Sequence, residues 1–169
     1  VQFNGHTLNL SHRQIEILCI LALHPHGIGL EELHYALYGE RNVSIKTLKA
    51  ELSQLRSLLP HCIEARIYRL SCEVQCDFLR AEKSLNANLI SSTFSLYKGS
   101  FLSKSESPLL STWRHCFDAR LSQLIYQIKD IDQLLRIIGQ THDRIDAIQR
   151  LLELLPQDSA HRNYFSNLI

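Results

Sequence analysis

One stretch of sixteen residues, from Ser44 to Leu59, constrains the fold of this chain more than any other. Its apolar residues recur at helical spacing, so a helix would align them along one side. These residues are Ile45, Leu48, Leu52, Leu55 and Leu59. Ser44 stands at the start, where serine is a preferred N-cap. The stretch therefore predicts an amphipathic helix that buries one stripe and exposes the opposite face.

The exposed face of this predicted helix is small, polar and basic. Its members are Lys46, Thr47, Lys49, Ala50, Ser53, Gln54, Arg56 and Ser57. Lysine and arginine pair with guanine in the major groove of DNA, glutamine pairs with adenine, and the methyls of alanine and threonine contact the thymine methyl. A solvated surface helix would show the same periodicity. The flanking segments therefore decide between the two interpretations.

An N-terminal hairpin and a first helix are predicted before this stretch. Asn4-Gly5, placed between two short β-favouring runs, is a strong signal for a tight hairpin turn. Ser11 then caps a helix, with Gln14 at the position that completes a capping box. The helix ends at His24-Pro-His-Gly27, where proline and glycine stop it.

A second short helix and a second hairpin complete the predicted pattern. Residues Glu31–Leu37 form the helix, and Gly39 is a natural C-cap. Two helices joined by a short connection, the second with a basic outer face, follow the helix-turn-helix plan. After the second of them, residues 62–65, 66–70 and 73–76 favour β structure. Together these segments predict a winged helix-turn-helix.

Positive charge is concentrated in the same part of the chain. The whole chain carries +1, but residues 41–69 hold six cations against two acids, and residues 1–40 hold one cation against four acids. Arg66 and Arg69 lie near the predicted hairpin bend, where a wing would rest against phosphates. The pattern predicts a small basic surface suited to DNA on a nearly neutral protein.

From Asp77 onward the sequence predicts helices only. The segments with helical spacing are 77–88, 91–97, 108–130, 131–138, 143–155 and 159–168, and a serine-rich loop covers 98–108. Successive helices with little else indicate a tetratricopeptide-like arrangement. We therefore expect a mainly α fold with a small β component, in which a winged-helix domain spans residues 1–76 and an all-α domain spans residues 77–169.

Several kinds of site are disfavoured by spacing. Neither His24-Pro-His26 nor Cys72-x3-Cys76 has the spacing of a structural zinc site, so we expect no metal. The chain has no P-loop and no G-x-S-x-G motif, and adjacent His61 and Cys62 would point to opposite faces of a strand. We therefore expect neither an enzyme nor a bound cofactor.

The cysteine count and the apolar pattern predict the environment of the protein. Five cysteines without a CxxC motif indicate free thiols in a reducing cytoplasm. No apolar run reaches the roughly 18 residues of a membrane span, and no signal-peptide pattern opens the chain. Since the chain contains no Met, we expect it to be part of a longer protein.

Several short segments together resemble a known family of bacterial transcriptional regulators. Segments 21–25 (LALHP), 27–33 (GIGLEEL), 36–39 (ALYG), 43–56 and 68–70 (YRL) resemble an OmpR/PhoB-like winged-helix domain. Segment 96–108 looks like the loop that follows this domain in GAF-domain-containing regulators. Residues 147–169, with RLLELLPQD at 150–158 and His161-Arg162, resemble the helical bacterial transcriptional activator domain.

This resemblance implies the DNA-binding output module of a larger regulator, with a sensory domain upstream. It assigns the recognition helix to Ser44–Leu59, the preceding helix to Glu31–Leu37 and the wing to Glu64–Arg69. Further partners would be RNA polymerase and a second protomer in a homodimer. The alternative is a protein-interaction module that uses the same elements without binding DNA.

The residues expected to contact DNA come from the predicted recognition helix and wing. Candidates for base and phosphate contacts in the helix are Ser44, Lys46, Thr47, Lys49, Ala50, Ser53 and Gln54. Arg56, near the end of the helix, and Arg66 and Arg69 in the wing are expected to contact phosphates.

Overall fold

A computed structural model describes residues 1–3, 5–141, 144–157 and 159–167. In these ranges the chain is mainly helical, with nine helices and one small two-stranded antiparallel sheet. It divides into two compact units. Unit 1 comprises Val1–Cys76 and Leu102–Trp113, and unit 2 comprises Asp77–Phe101 and Arg114–Ile169. The prediction of a mainly α fold with a small β component is confirmed.

The first hairpin of unit 1 forms as predicted. Strands β1 (Gln2–Phe3) and β2 (His6–Thr7) pair antiparallel, with Phe3 opposite His6. This register leaves a two-residue turn, in which Gly5 adopts a φ of +79°. A left-handed backbone at this place explains why the turn contains glycine. Asn4, which the sequence pattern also predicted in the turn, lies outside the described residues.

Three helices form the core of unit 1. They are α1 (His12–Leu23), α2 (Leu30–Tyr38) and α3 (Ile45–Leu58). The capping box predicted at Ser11 and Gln14 is present, with both reciprocal hydrogen bonds made. Ile17, Ile20, Leu33, Leu37 and Leu48 are each fully buried in this core. Burying side chains of this size contributes about 1.5–3 kcal/mol each before entropy is counted.

The segment after α3 is more irregular than predicted. Residues 62–71, which we call the 62–71 hairpin, turn back on themselves, but only isolated bridges join Ile63 to Leu70 and Ile28 to Tyr68. The expected strands over residues 62–65 and 66–70 are therefore wrong as continuous strands. A left-handed φ of 78° at Arg66 interrupts the extended backbone. Within the described residues, the predicted strand 73–76 is also absent.

The turn between α1 and α2 lies directly against this hairpin. Gly27 has a φ of +92°, and a Cβ atom at this position would come within 2.2 Å of the Ile67 side chain. Only glycine fits there. The next residue, Ile28, exchanges two backbone hydrogen bonds with Tyr68, at 3.0 and 2.9 Å. These contacts fix the hairpin to the turn between α1 and α2.

The two units differ from the predicted domains in one segment, where the chain passes from unit 2 back into unit 1. The predicted boundary at residues 76 and 77 assigned everything after Cys76 to the helical domain, but Leu102–Trp113 belongs to unit 1. The hydroxyl of Ser107 donates to the Ala36 carbonyl at 2.7 Å, and the hydroxyl of Ser105 donates to the buried Glu16 carboxylate. These bonds explain the difference, because they join residues more than seventy positions apart.

Unit 2 contains short helices connected in succession. They are α4 (Asp77–Asn86), α5 (Ile90–Leu96), the larger part of α6 (Pro108–Gln127), α7 (Ile131–Gln140), α8 (Ile145–Leu154) and α9 (Ala160–Ser166). Consecutive pairs α4/α5, α7/α8 and α8/α9 pack against each other, and α5 packs against α7. The predicted helix start at Asp143 and the predicted end at Leu168 lie outside the described residues.

A buried arginine is the main polar feature of unit 2. Arg144 is 8% exposed and forms ion pairs with Asp118 and Asp146. Burial disfavours its charge, but hydrogen bonding and the charge of Asp146 outweigh this cost, so the pKa of the guanidinium is raised. Pairing of this kind is what makes a buried charge tolerable.

Among the helices in the described residues, none is long and apolar enough to cross a membrane.

Candidate nucleic-acid interface

Helix α3 places its two faces as its sequence pattern predicts. The hydroxyl of the N-cap Ser44 accepts a hydrogen bond from the Lys46 amide at 3.3 Å. Leu48, Leu52 and Leu55 are at most 2% exposed. This buried stripe fixes the rotation of the helix about its axis, so the opposite face is held towards solvent.

All ten residues predicted to contact DNA are exposed. They are Ser44, Lys46, Thr47, Lys49, Ala50, Ser53, Gln54, Arg56, Arg66 and Arg69. The first eight lie on or just before α3, and the last two lie in the 62–71 hairpin. Exposure makes each of them available to a ligand, but it does not by itself select DNA over another partner.

Two of these side chains on α3 are held by other parts of unit 1. The Gln54 side chain accepts a hydrogen bond from the Gln14 side chain on α1, at 3.1 Å. Arg56 donates from Nε to the Ile63 carbonyl at 3.3 Å. Arg56 therefore ties α3 to the 62–71 hairpin and is only partly free to meet a phosphate.

The two arginines of the hairpin differ in charge environment. Arg69 donates twice to the Glu64 carboxylate, at 2.8 and 3.0 Å. The hydrogen bond from Arg69 and the charge of Glu64 raise the pKa of the guanidinium, and the carboxylate offsets its positive charge. Arg66 forms no ion pair within the described residues. The net positive charge of the hairpin is therefore concentrated at Arg66.

An open cleft of about 280 Å³ lies beside Arg66. It is lined by His26, Glu64, Ala65, Arg66, Ile67 and Arg69. No sequence pattern predicted His26 in this position, because it comes from the turn between α1 and α2. The pairing of Ile28 with Tyr68 and the close contact of Gly27 with the hairpin bring that turn to it.

Three acidic residues belong to α2 and α3. Glu51, the one acid of α3, is half-buried, and its Oε2 atom has no hydrogen-bond partner among the described residues. Burial raises the pKa of Tyr38, with Arg13 opposing the rise and Glu51 adding to it. Glu51 is thus directed towards the core around Tyr38. Glu31 and Glu32 are exposed in the first turn of α2, where the helix dipole favours them.

The histidines and cysteines that were considered as metal ligands form no metal-binding cluster within the described residues, and some of them make other contacts. His24 lies within hydrogen-bonding distance of the Ile20 carbonyl, 2.7 Å from its Nδ1. The described residues contain no cluster of three or more side chains suited to a metal ion. All five cysteines are free thiols. Burial, together with a hydrogen bond to Cys72, raises the pKa of the Cys62 thiol to about 11, so Cys62 is protonated at neutral pH.

Comparison with known proteins finds an uncharacterized relative and no matching family model. No family model matches the chain. It is 28% identical over 145 residues to a protein of Rhodococcus erythropolis described as "Uncharacterized 47.3 kDa protein in thcA 5'region". The match covers 85% of this chain but only 33% of the relative. The chain therefore spans about a third of the length of that protein.

Proposed function

We propose that this chain is a sequence-specific regulator of transcription that binds double-stranded DNA. The observation that carries the proposal is the exposed face of α3, whose side chains are small, polar or cationic. The 62–71 hairpin, which contains Arg66 and Arg69, follows this helix. A helix of fourteen residues is about 21 Å long. A major groove about 12 Å wide admits such a helix when no bulky side chain blocks the approach.

The arrangement of unit 1 supports a winged helix-turn-helix. α2 and α3 are joined by a short connection, and the 62–71 hairpin follows α3 and is bonded to it through Arg56. In this arrangement α3 reads base edges, while Lys46, Lys49 and Arg66 contact phosphates beside the groove. Affinity would come from counterion release at few contacts, and specificity from the face of α3.

Unit 2 would serve the regulation of this binding. We propose that its helices contact an upstream sensory domain, a second protomer or RNA polymerase, in a larger cytoplasmic regulator. The tetratricopeptide-like succession of helix pairs supports this role, because helical repeats present extended surfaces to partners. No catalytic step and no cofactor belong to the proposal.

Selection of bound fragments from random duplex DNA tests the function directly. We expect a defined site to be enriched, and half-sites about one helical turn apart would indicate a dimer. Binding of the selected site should weaken with salt, with a slope of log affinity against log salt near −3 for three to four phosphate contacts. Failure to enrich any duplex above the input pool would contradict the proposal.

A protein-interaction module is the alternative, and exposed apolar side chains favour it. Tyr35 on α2 is 62% exposed and Ile67 in the 62–71 hairpin is 56% exposed. Such side chains contribute to protein interfaces when a partner covers them. Under this alternative, a pull-down would recover a protein and no DNA, and its yield would change little between low and high salt.

A further inference from the structure

The side chain of Gln54 is held by a residue outside the recognition helix. Gln14, in the first turn of α1, is 6% exposed, whereas Gln54 on α3 is exposed. The Gln14 side chain makes two hydrogen bonds. Its Oε1 accepts from the Ser11 backbone amide at 3.0 Å, and its Nε2 donates to Oε1 of Gln54 at 3.1 Å.

Hydrogen-bond chemistry leaves one orientation for each of the two amides. A backbone N–H only donates, so the Gln14 atom facing Ser11 is the oxygen. The other end of the Gln14 amide is then an NH2 group, which only donates. The Gln54 atom that faces Gln14 is therefore its oxygen. Turning either amide by 180° would place two donors or two acceptors against each other.

The free end of the Gln54 amide is consequently its NH2 group. Within the described residues, Gln54 makes no other side-chain hydrogen bond. Gln54 lies one helical turn after Ala50, in the middle of the exposed face of α3. A glutamine that pairs with adenine in the usual bidentate way uses both its oxygen and its NH2 group. In this chain the oxygen is turned towards Gln14, and one of its two lone pairs accepts the hydrogen bond from Gln14.

We propose that Gln14 orients Gln54 so that Gln54 presents only hydrogen-bond donors to DNA, and that Gln54 reads guanine or thymine through their major-groove acceptors. These acceptors are O6 and N7 of guanine and O4 of thymine; adenine also has the N7 acceptor, but its N6 amino group places a donor beside it, which a group that only donates does not match. The inference rests on the proposed function, and it replaces the sequence-based expectation that Gln54 pairs with adenine. Gln14 is a positioning residue, since it acts through Gln54.

The substitution Gln14→Glu tests this orientation without removing the helix cap. A serine N-cap followed by glutamate is itself a capping box, so α1 keeps both of its bonds. Glutamate accepts but does not donate at neutral pH, so Gln54 would turn its NH2 group towards position 14 and its oxygen towards DNA. The preferred base should change from guanine or thymine to cytosine or adenine, which carry amino donors.

The base pair in question is identified by Gln54→Ala. In selections from random duplex DNA with the unaltered chain, we expect one position with a preference of roughly tenfold for an acceptor base. Gln54→Ala should remove the preference at that position only. Gln14→Glu should reverse it, and the same change in a Gln54→Ala background should have no effect on it. Gln123→Glu, which adds one charge on an exposed glutamine of α6, is the control and should leave the preference unchanged.

The outcomes separate this inference from the proposed function. If the unaltered chain enriches no DNA, the proposed function fails and the inference fails with it. If DNA is enriched but Gln14→Glu leaves the preference unaltered, or Gln54→Ala removes none, the function stands and the inference is wrong. Side-chain amide exchange in the unaltered protein, followed by NMR, gives an independent test. The NH2 protons of Gln54 should exchange as fast as those of an unbonded exposed amide, and they should exchange more slowly in Gln14→Glu, where they meet the carboxylate. Equal rates in the two proteins would overturn the orientation.

Discussion

At the scale of single residues, the cations near α3 differ in how free they are to bind a phosphate. Lys46, Lys49 and Arg66 are exposed and form no ion pair within the described residues. Arg69 is paired with Glu64, and Arg56 is bonded to a backbone carbonyl. The DNA affinity should therefore depend on the cations that are free of other bonds, and less on the total number of cations near α3.

The double substitution Lys46→Ala with Lys49→Ala tests the two free lysines of α3. We expect affinity for the selected DNA to fall by about tenfold or more, and the salt slope to become shallower by about 2, because two phosphate contacts are lost. Fluorescence anisotropy at several salt concentrations measures both. Alanine at exposed Lys83 and Lys129 in unit 2 is the matched control. Equal affinities for the two double variants would contradict the assignment of α3.

Glu64→Gln tests the pairing in the 62–71 hairpin. Removing the carboxylate charge frees Arg69 from an ion pair whose two bonds measure 2.8 and 3.0 Å. We expect tighter DNA binding by several-fold and a salt slope steeper by up to about 1. Glu73→Gln, which removes an exposed acid outside the hairpin, controls for the change in net charge. A weaker complex for Glu64→Gln would show that the ion pair shapes the hairpin instead.

The pKa of Cys62 predicts an order of thiol reactivity. Because the pKa is raised to about 11, a small fraction of Cys62 is thiolate at pH 8, and the buried sulfur is also poorly accessible. Cys116 is exposed. We expect iodoacetamide to label Cys116 well before Cys62 in the folded protein, and labelling of Cys62 to accelerate as the pH rises towards 11. Peptide mass spectrometry after timed quenching measures the order, which unfolding in urea should abolish.

At the scale of elements, α3 was the most predictable part of the chain. Its predicted N-cap at Ser44 is confirmed, and the four leucines of its predicted stripe are buried, whereas Ile45 is half-buried. A strict apolar period over four turns leaves few alternatives to an amphipathic helix. The β segments after it were less predictable, because β propensity depends on neighbouring strands. The turn at Arg66 and the single bridges to Ile28 and Leu70 are tertiary features.

The buried stripe of α3 also sets the stability of unit 1. Leu52 is 2% exposed, whereas Leu58 on the same helix is 40% exposed. We expect Leu52→Ala to lower the free energy of unfolding by about 2–5 kcal/mol, since it leaves a cavity in the core. Leu58→Ala should cost under about 1 kcal/mol. Urea titration followed by circular dichroism measures both, and equal losses would contradict the rotation of α3.

At the scale of the whole molecule, the order of residues along the chain does not match the division into compact units. Leu102–Trp113 belongs to unit 1, although it follows α4 and α5, the first two helices of unit 2, in the sequence. The C-terminal end of this segment falls within α6, between Trp113 and Arg114. The predicted boundary at residues 76 and 77 was based on the change to helical spacing at Asp77, and it coincides with the first passage of the chain from unit 1 to unit 2.

Ser105 should be important for keeping this returning segment in unit 1. Its hydroxyl donates to Glu16, whose side chain is 1% exposed, so its loss would leave a buried carboxylate oxygen with one bond fewer. We expect Ser105→Ala to lower the free energy of unfolding by about 1–3 kcal/mol. Exposed Ser103→Ala is the matched control, with an expected change within about 0.5 kcal/mol. Urea titrations that show no difference between the two variants would contradict the role of Ser105.

The sequence by itself determined the local elements of this protein. Apolar period, capping residues and turn glycines specify α1, α2, α3 and the first hairpin, because each depends on neighbours a few residues away. The same period determined which face of α3 is exposed, and hence the eight candidate contact residues on or just before that helix.

Tertiary structure decided which of those candidates are free and how they are oriented. Gln14 and Gln54 are forty positions apart, and Ser105 and Glu16 are eighty-nine apart. No local sequence pattern predicts these two hydrogen bonds, because they depend on how the helices and loops pack. The face of α3 was thus readable from the sequence, whereas the donor that Gln54 turns outward depends on a neighbour that only the fold supplies.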